Sequence, residues 1–248
     1  MNTYKEAFLK TKIHCSYLPS IKGDITLLDS SQAIFLACLK DLQLLIIKND
    51  LKSLDEDLFK IIKNNIFNYF PNNTVDDNQA LTNYVISGVY SFMNNFPLSK
   101  YYPLIVDYNP SVLIKNKQIE LNIDFLFKQN NKSSYLHGIC FVNKIDDFST
   151  ILDDFNYLKL NFLSKNFTGF RNSNAATKLH FISIQPLTYR NKNIKNYSIK
   201  TKTINEKDLK TKTFLDLNQT IDLALNMPIK QIPGCRNISC PKRKVCLQ

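Results

Sequence analysis

The sequence predicts an α/β (α+β) protein in which a mixed β-sheet is flanked by helices. Apolar residues recur at helical spacing through much of the first part of the chain, whereas residues 118–128 alternate between apolar and polar. From residue 76 onward, the predicted order is helix, strand, strand, strand, helix, strand. A meander of strands followed by a crossover helix and a returning strand forms a mixed sheet with helices on its faces.

Three helices are predicted before the first strand of this sheet. They cover approximately residues 30–46, 54–70 and 76–95. In each, the apolar residues follow the 3.6-residue period of a helix that buries one face. Ser53 and Glu56 have the spacing of a capping box at the start of the second helix. Cys38 lies inside the first helix, where we interpret it as a small core residue.

The predicted strands begin at residue 104. Residues 104–108 and 111–114 are predicted to be extended, and residues 118–128 form the alternating strand with Asp124 on its polar side. A strand with regularly spaced lysines is predicted at a sheet edge, where charge discourages the pairing of sheets. The elements after residue 128 are a strand over 135–144, a helix from Asp146 to about 162, a strand over 179–187, the lysine-bearing edge strand over 194–204 and a helix over 214–226.

The composition is strongly basic. The chain has 32 lysine and arginine residues against 21 acidic residues, which gives a formal net charge of +11 and a pI near 9.3. Such a balance suits a polyanionic partner, and we expect that partner to be nucleic acid. The other explanation for the lysine content is AT-rich coding.

Neither a membrane span nor a secretion signal is expected. No apolar run reaches the ~20 residues of a membrane span, and the first residues lack the apolar stretch of a signal peptide. We therefore expect a cytoplasmic protein in a reducing compartment. Clustered cysteines in such a compartment favour metal binding over disulfides.

The cysteines gather near the two termini. Cys235, Cys240 and Cys246 lie close together among basic residues, and Cys15 lies near the opposite end of the chain. Nearby positive charge favours the thiolate, which is the form that binds metal. Four thiolates suit either a 4Fe–4S cluster or tetrahedral zinc, and the spacing decides neither between them nor against a site without metal. A bound metal would fasten the two ends together, so that its binding energy would become folding energy.

The order of elements resembles the restriction-endonuclease-like αβββαβ core of the PD-(D/E)XK nuclease superfamily. Local features resemble its RecB-like branch, which includes the Cas4 and AddB nuclease domains. Some members of that branch have one cysteine before the domain and three after it, spaced Cys-x-x-Cys-x5-Cys, whereas the trio here is spaced Cys-x4-Cys-x5-Cys. The resemblance implies a 4Fe–4S cluster held by Cys15, Cys235, Cys240 and Cys246.

The resemblance also implies a cutting site. Leu121–Asp124 stands where the family has a Gly-x-x-Asp segment, and Val142–Lys144 stands where a strand ends in Asp/Glu-x-Lys. The implied catalytic residues are therefore Asp124 and Lys144. Val142 cannot bind Mg²⁺ or Mn²⁺, and hard cations depend on one or two carboxylates for their charge balance. We accordingly expect catalysis to be impaired.

These observations predict a DNA-binding protein with a nuclease fold that acts in DNA recombination, repair or replication, together with other DNA-processing proteins. Residues 1–75 are expected to form an N-terminal segment and helical lobe, 76–226 the nuclease-like core and 227–248 the metal-binding segment. Contacts to single- or double-stranded DNA are expected to be mostly to phosphates, and binding should weaken as salt rises. The basic residues expected to make those contacts are Arg171, Lys178, Arg190 and Lys192.

Two alternatives stay open. One is an active nuclease dependent on Mg²⁺ or Mn²⁺, in which Glu120, Asp146 or Asp147 replaces the missing acid. The other is an interaction protein that uses zinc as a staple and does not bind DNA.

Overall fold

The computed structural model describes residues 3–6, 30–69, 74–129, 136–141, 154–167, 177–186, 197–205, 221–222 and 225–226. The fold is mixed α/β, as the sequence predicts. In chain order the elements are β1 (Thr3–Lys5), α1 (Ser30–Ile47), α2 (Leu54–Tyr69), α3 (Val75–Asn95), β2 (Tyr101–Tyr108), β3 (Ser111–Ile114), β4 (Lys117–Glu120), β5 (Ile123–Gln129), β6 (Leu136–Phe141), α4 (Asp154–Asn166), β7 (Lys178–Pro186) and β8 (Tyr197–Asn205). Within these ranges, no helix is long and apolar enough to cross a membrane.

The chain divides into two compact units. The larger comprises residues 26–108 and 123–210, and the smaller comprises residues 1–25, 109–122 and 211–248. Helices α1 to α4 and strands β2 and β5 to β8 belong to the larger unit. Strands β1, β3 and β4 belong to the smaller one.

Helices α1, α2 and α3 confirm the three helices predicted from apolar periodicity. The start of α2 differs in one detail from the predicted capping box. The carboxylate of Asp57, one residue beyond the predicted Glu56, accepts hydrogen bonds from the N–H groups of Lys52 at 2.9 Å and Ser53 at 3.2 Å. These bonds satisfy backbone donors ahead of the helix, as a capping box does.

The larger unit is built on a five-stranded sheet in the order β2-β5-β6-β7-β8. Strands β2, β5 and β6 form an antiparallel meander, and the chain then returns through α4 to place β7 parallel to β6. Strand β8 pairs antiparallel with β7 and closes the sheet as an edge strand. A meander, a crossover helix, a returning strand and a lysine-bearing edge strand are present as predicted. The predicted strand over residues 111–114 is not part of the meander, because it forms β3 of the three-stranded sheet. The predicted start of the crossover helix at Asp146 lies outside the described residues.

Both faces of this sheet are covered. On one face, helices α1 and α3 pack against the sheet, with Phe92 of α3 fully buried among sheet aromatics such as Phe125 and Phe127, and α2 packs on α1 and α3. On the other face, Leu160 and Leu163 of α4 pack against the sheet. The sheet is therefore the middle layer of an α-β-α arrangement.

The predicted strand over residues 118–128 is wrong in one respect, because it is two strands. Strand β4 ends at Glu120 and belongs to a three-stranded sheet, while β5 begins at Ile123 in the five-stranded sheet. The predicted polar side of β5 is not solvated either, since every residue of this strand except Lys128 is buried. A central strand covered by helices on both faces has no side left for water.

The smaller unit contains a three-stranded sheet in the order β1-β4-β3. Strands β3 and β4 form a hairpin, and β1 pairs parallel with β4 so that Thr3 stands opposite Gln118. The carboxylate of Glu6 accepts a hydrogen bond from the N–H of Asn122 at 3.1 Å. Lys117 of the hairpin forms an ion pair with Asp222. Residues near both ends of the chain thus contact the same hairpin.

Candidate functional site

Two carboxylates stand side by side at one end of the five-stranded sheet. Asp107 is the penultimate residue of β2, and Asp124 is the second residue of β5. Because Tyr108 pairs with Ile123 and these strands are antiparallel, the two aspartates are adjacent across the ladder. Asp107 has a φ of 55°, in the left-handed region that few residues other than glycine adopt. The backbone of β2 therefore departs from extended geometry at this carboxylate.

A lysine from helix α1 joins the two carboxylates. The ammonium of Lys40 forms an ion pair with Asp107, and its Nζ lies 3.4 Å from Oδ1 of Asp124. The Lys40 side chain is 21% exposed and that of Asp107 is 50% exposed, whereas that of Asp124 is 7% exposed. The cluster is open to solvent on the Asp107 side and buried on the Asp124 side.

Asp124 is held from its other side by β6. Its Oδ2 accepts a hydrogen bond from the N–H of Phe141 at 2.7 Å. A second lysine, Lys159 of α4, is buried nearby, and its Nζ lies 3.7 Å from the Sγ of Cys140. Asp124 is therefore fixed by a backbone donor and lies near two lysine side chains.

The electrostatics of the cluster follow from burial and from these partners. Burial raises the pKa of Asp124, and this effect outweighs the opposing influence of Lys40, the Phe141 N–H and Lys159. For Lys40, burial alone would lower the pKa, but the carboxylates of Asp124 and Asp107 outweigh it and the pKa is raised. Lys40 thus keeps its proton and serves as the cation that balances the carboxylates.

The predicted catalytic residues are placed as follows. Asp124 lies in the cluster, at the start of the second strand of the core meander, while Lys144 and Val142 lie outside the described residues. Glu120, one of the predicted substitute ligands, lies on β4 in the smaller unit, and the other two, Asp146 and Asp147, lie outside the described residues.

Sequence reasoning missed Lys40, Asp107 and Lys159. Two of them carried a signal, because each is a lysine within an apolar helical stretch: Lys40 follows Leu39, and Lys159 lies between Leu158 and Leu160. A lysine on a buried helix face needs a partner. Asp107 had no such signal, since an aspartate at the end of a strand is common.

Some of the remaining predicted site residues lie within the described ranges, and the others lie outside them. Lys178 begins β7 and is half-buried. Cys38 is fully buried, as expected of a core residue, and burial raises its pKa to about 12. Over the described ranges, no group of three or more His, Cys, Asp or Glu residues could hold a metal ion. The predicted residues outside those ranges are Cys15, Cys235, Cys240, Cys246, Arg171, Arg190 and Lys192.

A second polar cluster crosses the opposite end of the same sheet. Nδ1 of His137 lies 2.7 Å from Nε2 of His180. Nε2 of His137 lies 3.1 Å from Oε1 of Gln129, and Nδ1 of His180 lies 2.9 Å from Oγ1 of Thr203. These hydrogen bonds join β5, β6, β7 and β8, and both histidines are buried.

The chain was compared with protein-family models, curated proteins and solved structures. No protein-family model matches the chain, and no curated protein matches it. The chain is similar to a solved structure described as "Crystal structure of SSO0001", with 14% sequence identity and a TM-score of 0.28. That alignment covers 91% of this chain and 88% of the other.

Proposed function

We propose that this protein binds DNA through a PD-(D/E)XK nuclease-like core of the RecB-like branch whose catalytic cation has been replaced by a lysine. The observation that carries the proposal is the position of Lys40, whose ammonium is in contact with both Asp107 and Asp124. The protein then acts as a structural or recruiting subunit in DNA recombination, repair or replication. It does not cut the DNA that it binds.

The topology supports the nuclease-like part of the proposal. Helix α3, strands β2, β5 and β6, helix α4 and strand β7 follow the αβββαβ order, with β7 parallel to β6. Asp124 stands on the second of these core strands, where the resemblance expects an acid. In the sequence, Lys144 follows the end of β6 by three residues, which is where the resemblance expects the catalytic lysine.

The surroundings of Asp124 support the loss of catalysis. Mg²⁺ is bound through one or two carboxylates and several waters in octahedral geometry. The oxygens that it would use are those of Asp107 and Asp124, which the Lys40 ammonium already contacts. A divalent cation would have to displace a lysine whose pKa these same carboxylates raise. The described residues therefore do not fit a resident Mg²⁺ or Mn²⁺ ion.

The charge of the chain supports DNA as the partner. A net charge of +11 provides a long-range attraction for phosphates. The edge strand β8 contributes Lys200 and Lys202 to the larger unit, with Lys200 exposed. Binding that depends on phosphate contacts should weaken steeply between low and moderate salt.

The proposal includes a 4Fe–4S cluster held by Cys15, Cys235, Cys240 and Cys246, with zinc as the alternative metal. Support comes from described residues of the smaller unit, where Thr3–Lys5 and Asp222 both contact the β3–β4 hairpin. Cys15 follows Lys5 by ten residues and Cys235 follows Asp222 by thirteen. Chain segments of these lengths span up to roughly 33–43 Å when extended, which is ample for the thiolates to converge.

The decisive experiment compares the wild type with Lys40→Met, which keeps an apolar stem and removes the ammonium. Lys40→Met leaves the buried Asp124 without its cation, so the variant should have a lower melting temperature. Mn²⁺ should then raise the melting temperature of Lys40→Met, because a ligand that binds only the folded state stabilises it. The wild type should show no such rise.

The control is the double variant Lys40→Met/Asp124→Asn, which lacks the second carboxylate and should not respond to Mn²⁺. The wild type should bind DNA in a salt-dependent manner and leave it intact when Mn²⁺ is added. The proposal is wrong if the wild type cleaves DNA with Mn²⁺ and Asp124→Asn does not.

That last outcome would establish the alternative, an active nuclease with a rearranged acid set. One observation favours it, namely that Asp107 places a second carboxylate beside Asp124. The same assay separates the two functions, because only an active nuclease loses metal-dependent cleavage when Asp124 is changed.

A further inference from the structure

A groove of about 630 Å³ in the larger unit is lined by helices α2 and α3. Its rim includes Phe59, Lys63 and Phe67 of α2, which are spaced four residues apart and therefore form one stripe on the helix. The floor includes Ile62 and Ile66, which are buried. The groove is separate from the cluster around Asp124.

The rim exposes two aromatic rings. Phe59 is 59% exposed and Phe67 is 71% exposed. Helix α2 already buries a different stripe in the core, including Leu58, Ile62 and Ile66. The exposed phenyl rings are thus a second apolar surface that the larger unit does not use for its own packing, and such surfaces mark interaction sites.

The polar residues of the groove are suited to a nucleotide. Asn64, Asn68 and Asn78 line it together with Lys63, and none of the described side chains that line it is a carboxylate. The Oδ1 atom of Asn78 is buried and has no hydrogen-bond partner among the described residues. A buried acceptor without a donor costs free energy that an incoming N–H group would recover.

Charge along α2 is segregated. Its acidic residues are confined to the first turn, at 55–57, and Lys60 lies 3.8 Å from Asp57. From Leu58 to Tyr69 the helix carries two lysines and no acid. The part of the helix that presents the aromatic stripe is therefore the part that attracts a phosphate.

We propose that this groove binds single-stranded nucleic acid, with bases stacked on Phe59 and Phe67, a phosphate at Lys63 and a base N–H donated to Asn78. Aromatic platforms combined with cations are the usual means by which proteins hold unpaired bases. Eight residues separate the two rings, which is about 12 Å along the helix or roughly three base-stacking intervals. The inference rests on the proposed function and extends it by assigning the surface and the form of nucleic acid.

The test measures fluorescence anisotropy of a labelled oligothymidylate and of a matched duplex with the full chain. The double variant Phe59→Leu/Phe67→Leu keeps apolar side chains but removes both rings, and should lower affinity for the oligothymidylate by about tenfold or more. The matched control Phe59→Tyr/Phe67→Tyr keeps both rings and should bind as the wild type does. Duplex affinity should change little in either variant.

Lys63→Ala provides a second measurement. It should lower the slope of log affinity against log salt by about one, as expected for the loss of one phosphate contact. Thermal unfolding of each variant confirms folding, and exposed positions should leave the melting temperature unchanged within a few degrees.

The outcomes separate this inference from the proposed function. If the wild type binds the oligothymidylate and the leucine double variant binds equally well, the groove is not the nucleic-acid surface and its apolar rim serves a protein partner instead. If the wild type binds neither the oligothymidylate nor the duplex, the proposed function itself is wrong. The inference would also be overturned if the wild type preferred the duplex to the oligothymidylate and both double variants kept that preference.

Discussion

Among single residues, His137 and His180 show how burial decides chemistry. The amide oxygen of Gln129 can only accept, so Nε2 of His137 donates to it and Nδ1 of His137 must accept from Nε2 of His180. Nδ1 of His180 then accepts from the hydroxyl of Thr203. Each imidazole is neutral with one donor, and the chain is fully satisfied. A second proton on either ring would set donor against donor.

This arrangement predicts acid sensitivity. Burial, together with neighbouring positive groups, lowers the pKa of His137 from 6.5 to about 3 and that of His180 from 6.5 to about 4. The stability from neutral histidines is complete above pH 6.5 and is lost as pH falls toward these lowered values. Between pH 7 and pH 5, we expect each histidine to cost about 2 kcal/mol of unfolding free energy.

Urea unfolding at pH 7 and pH 5 measures that loss, and His137→Gln/His180→Gln is the comparison. The double variant should be less stable at pH 7 but lose less stability on acidification, because glutamine does not titrate. An equal loss in both proteins would assign the acid sensitivity to other groups.

At the scale of elements, close packing between β6 and α4 constrains the crossover. Gly138 lies on β6, opposite Leu179 of β7 and beneath α4. A Cβ at this position would lie 2.8 Å from Cδ1 of Leu163 and 2.8 Å from Cδ1 of Leu179. Both leucines are fully buried, so neither can move away without disturbing the core.

Gly138→Ala should therefore destabilise the protein by about 1–3 kcal/mol through overpacking. Thermal or urea unfolding gives the value. Leu163→Ala alone should also be destabilising because it leaves a cavity, but the double variant should lose less than the sum of the two. Strict additivity would show that the methyl group and Leu163 do not compete for the same space.

At the scale of the whole chain, its ends are the proposed site of the metal. Thr3–Lys5 adds a strand to the β3–β4 hairpin, and Asp222 forms an ion pair with Lys117 of the same hairpin. A cluster held by cysteines from both ends would make the smaller unit depend on metal for its stability.

Protein purified without oxygen should be brown and absorb broadly near ~400 nm, as thiolate-bound iron–sulfur clusters do. Replacement of Cys240 by serine should remove the absorbance and lower the melting temperature, whereas Cys38→Ser should leave the absorbance intact because Cys38 lies in the core. A colourless protein that contains stoichiometric zinc would support the zinc-stapled alternative. A protein without metal would contradict both assignments.

The sequence by itself determined the helices α1 to α3, the succession of helix, meander, crossover helix and returning strand in the larger unit, and the lysine-bearing edge strand β8. These features depend on local periodicity, which survives in a single chain segment. It could not show that β4 and β5 are separate strands, because the alternation of residues 118–128 runs unchanged across the break at 121–122. Strands in either sheet show the same alternation of side chains, so only the tertiary structure reveals that β4 and β5 belong to different sheets.

The candidate site divides in the same way. Resemblance to a known motif singled out Asp124, while the structure shows that it is buried and lies beside Lys40. Lys40 and Asp107 are remote from it in sequence and meet it because α1 packs on β2, which pairs with β5. Ion pairs between residues far apart in sequence depend on how the helices and strands pack, and no pattern in the sequence predicts which residues meet. What balances Asp124 was therefore decided by the tertiary structure alone.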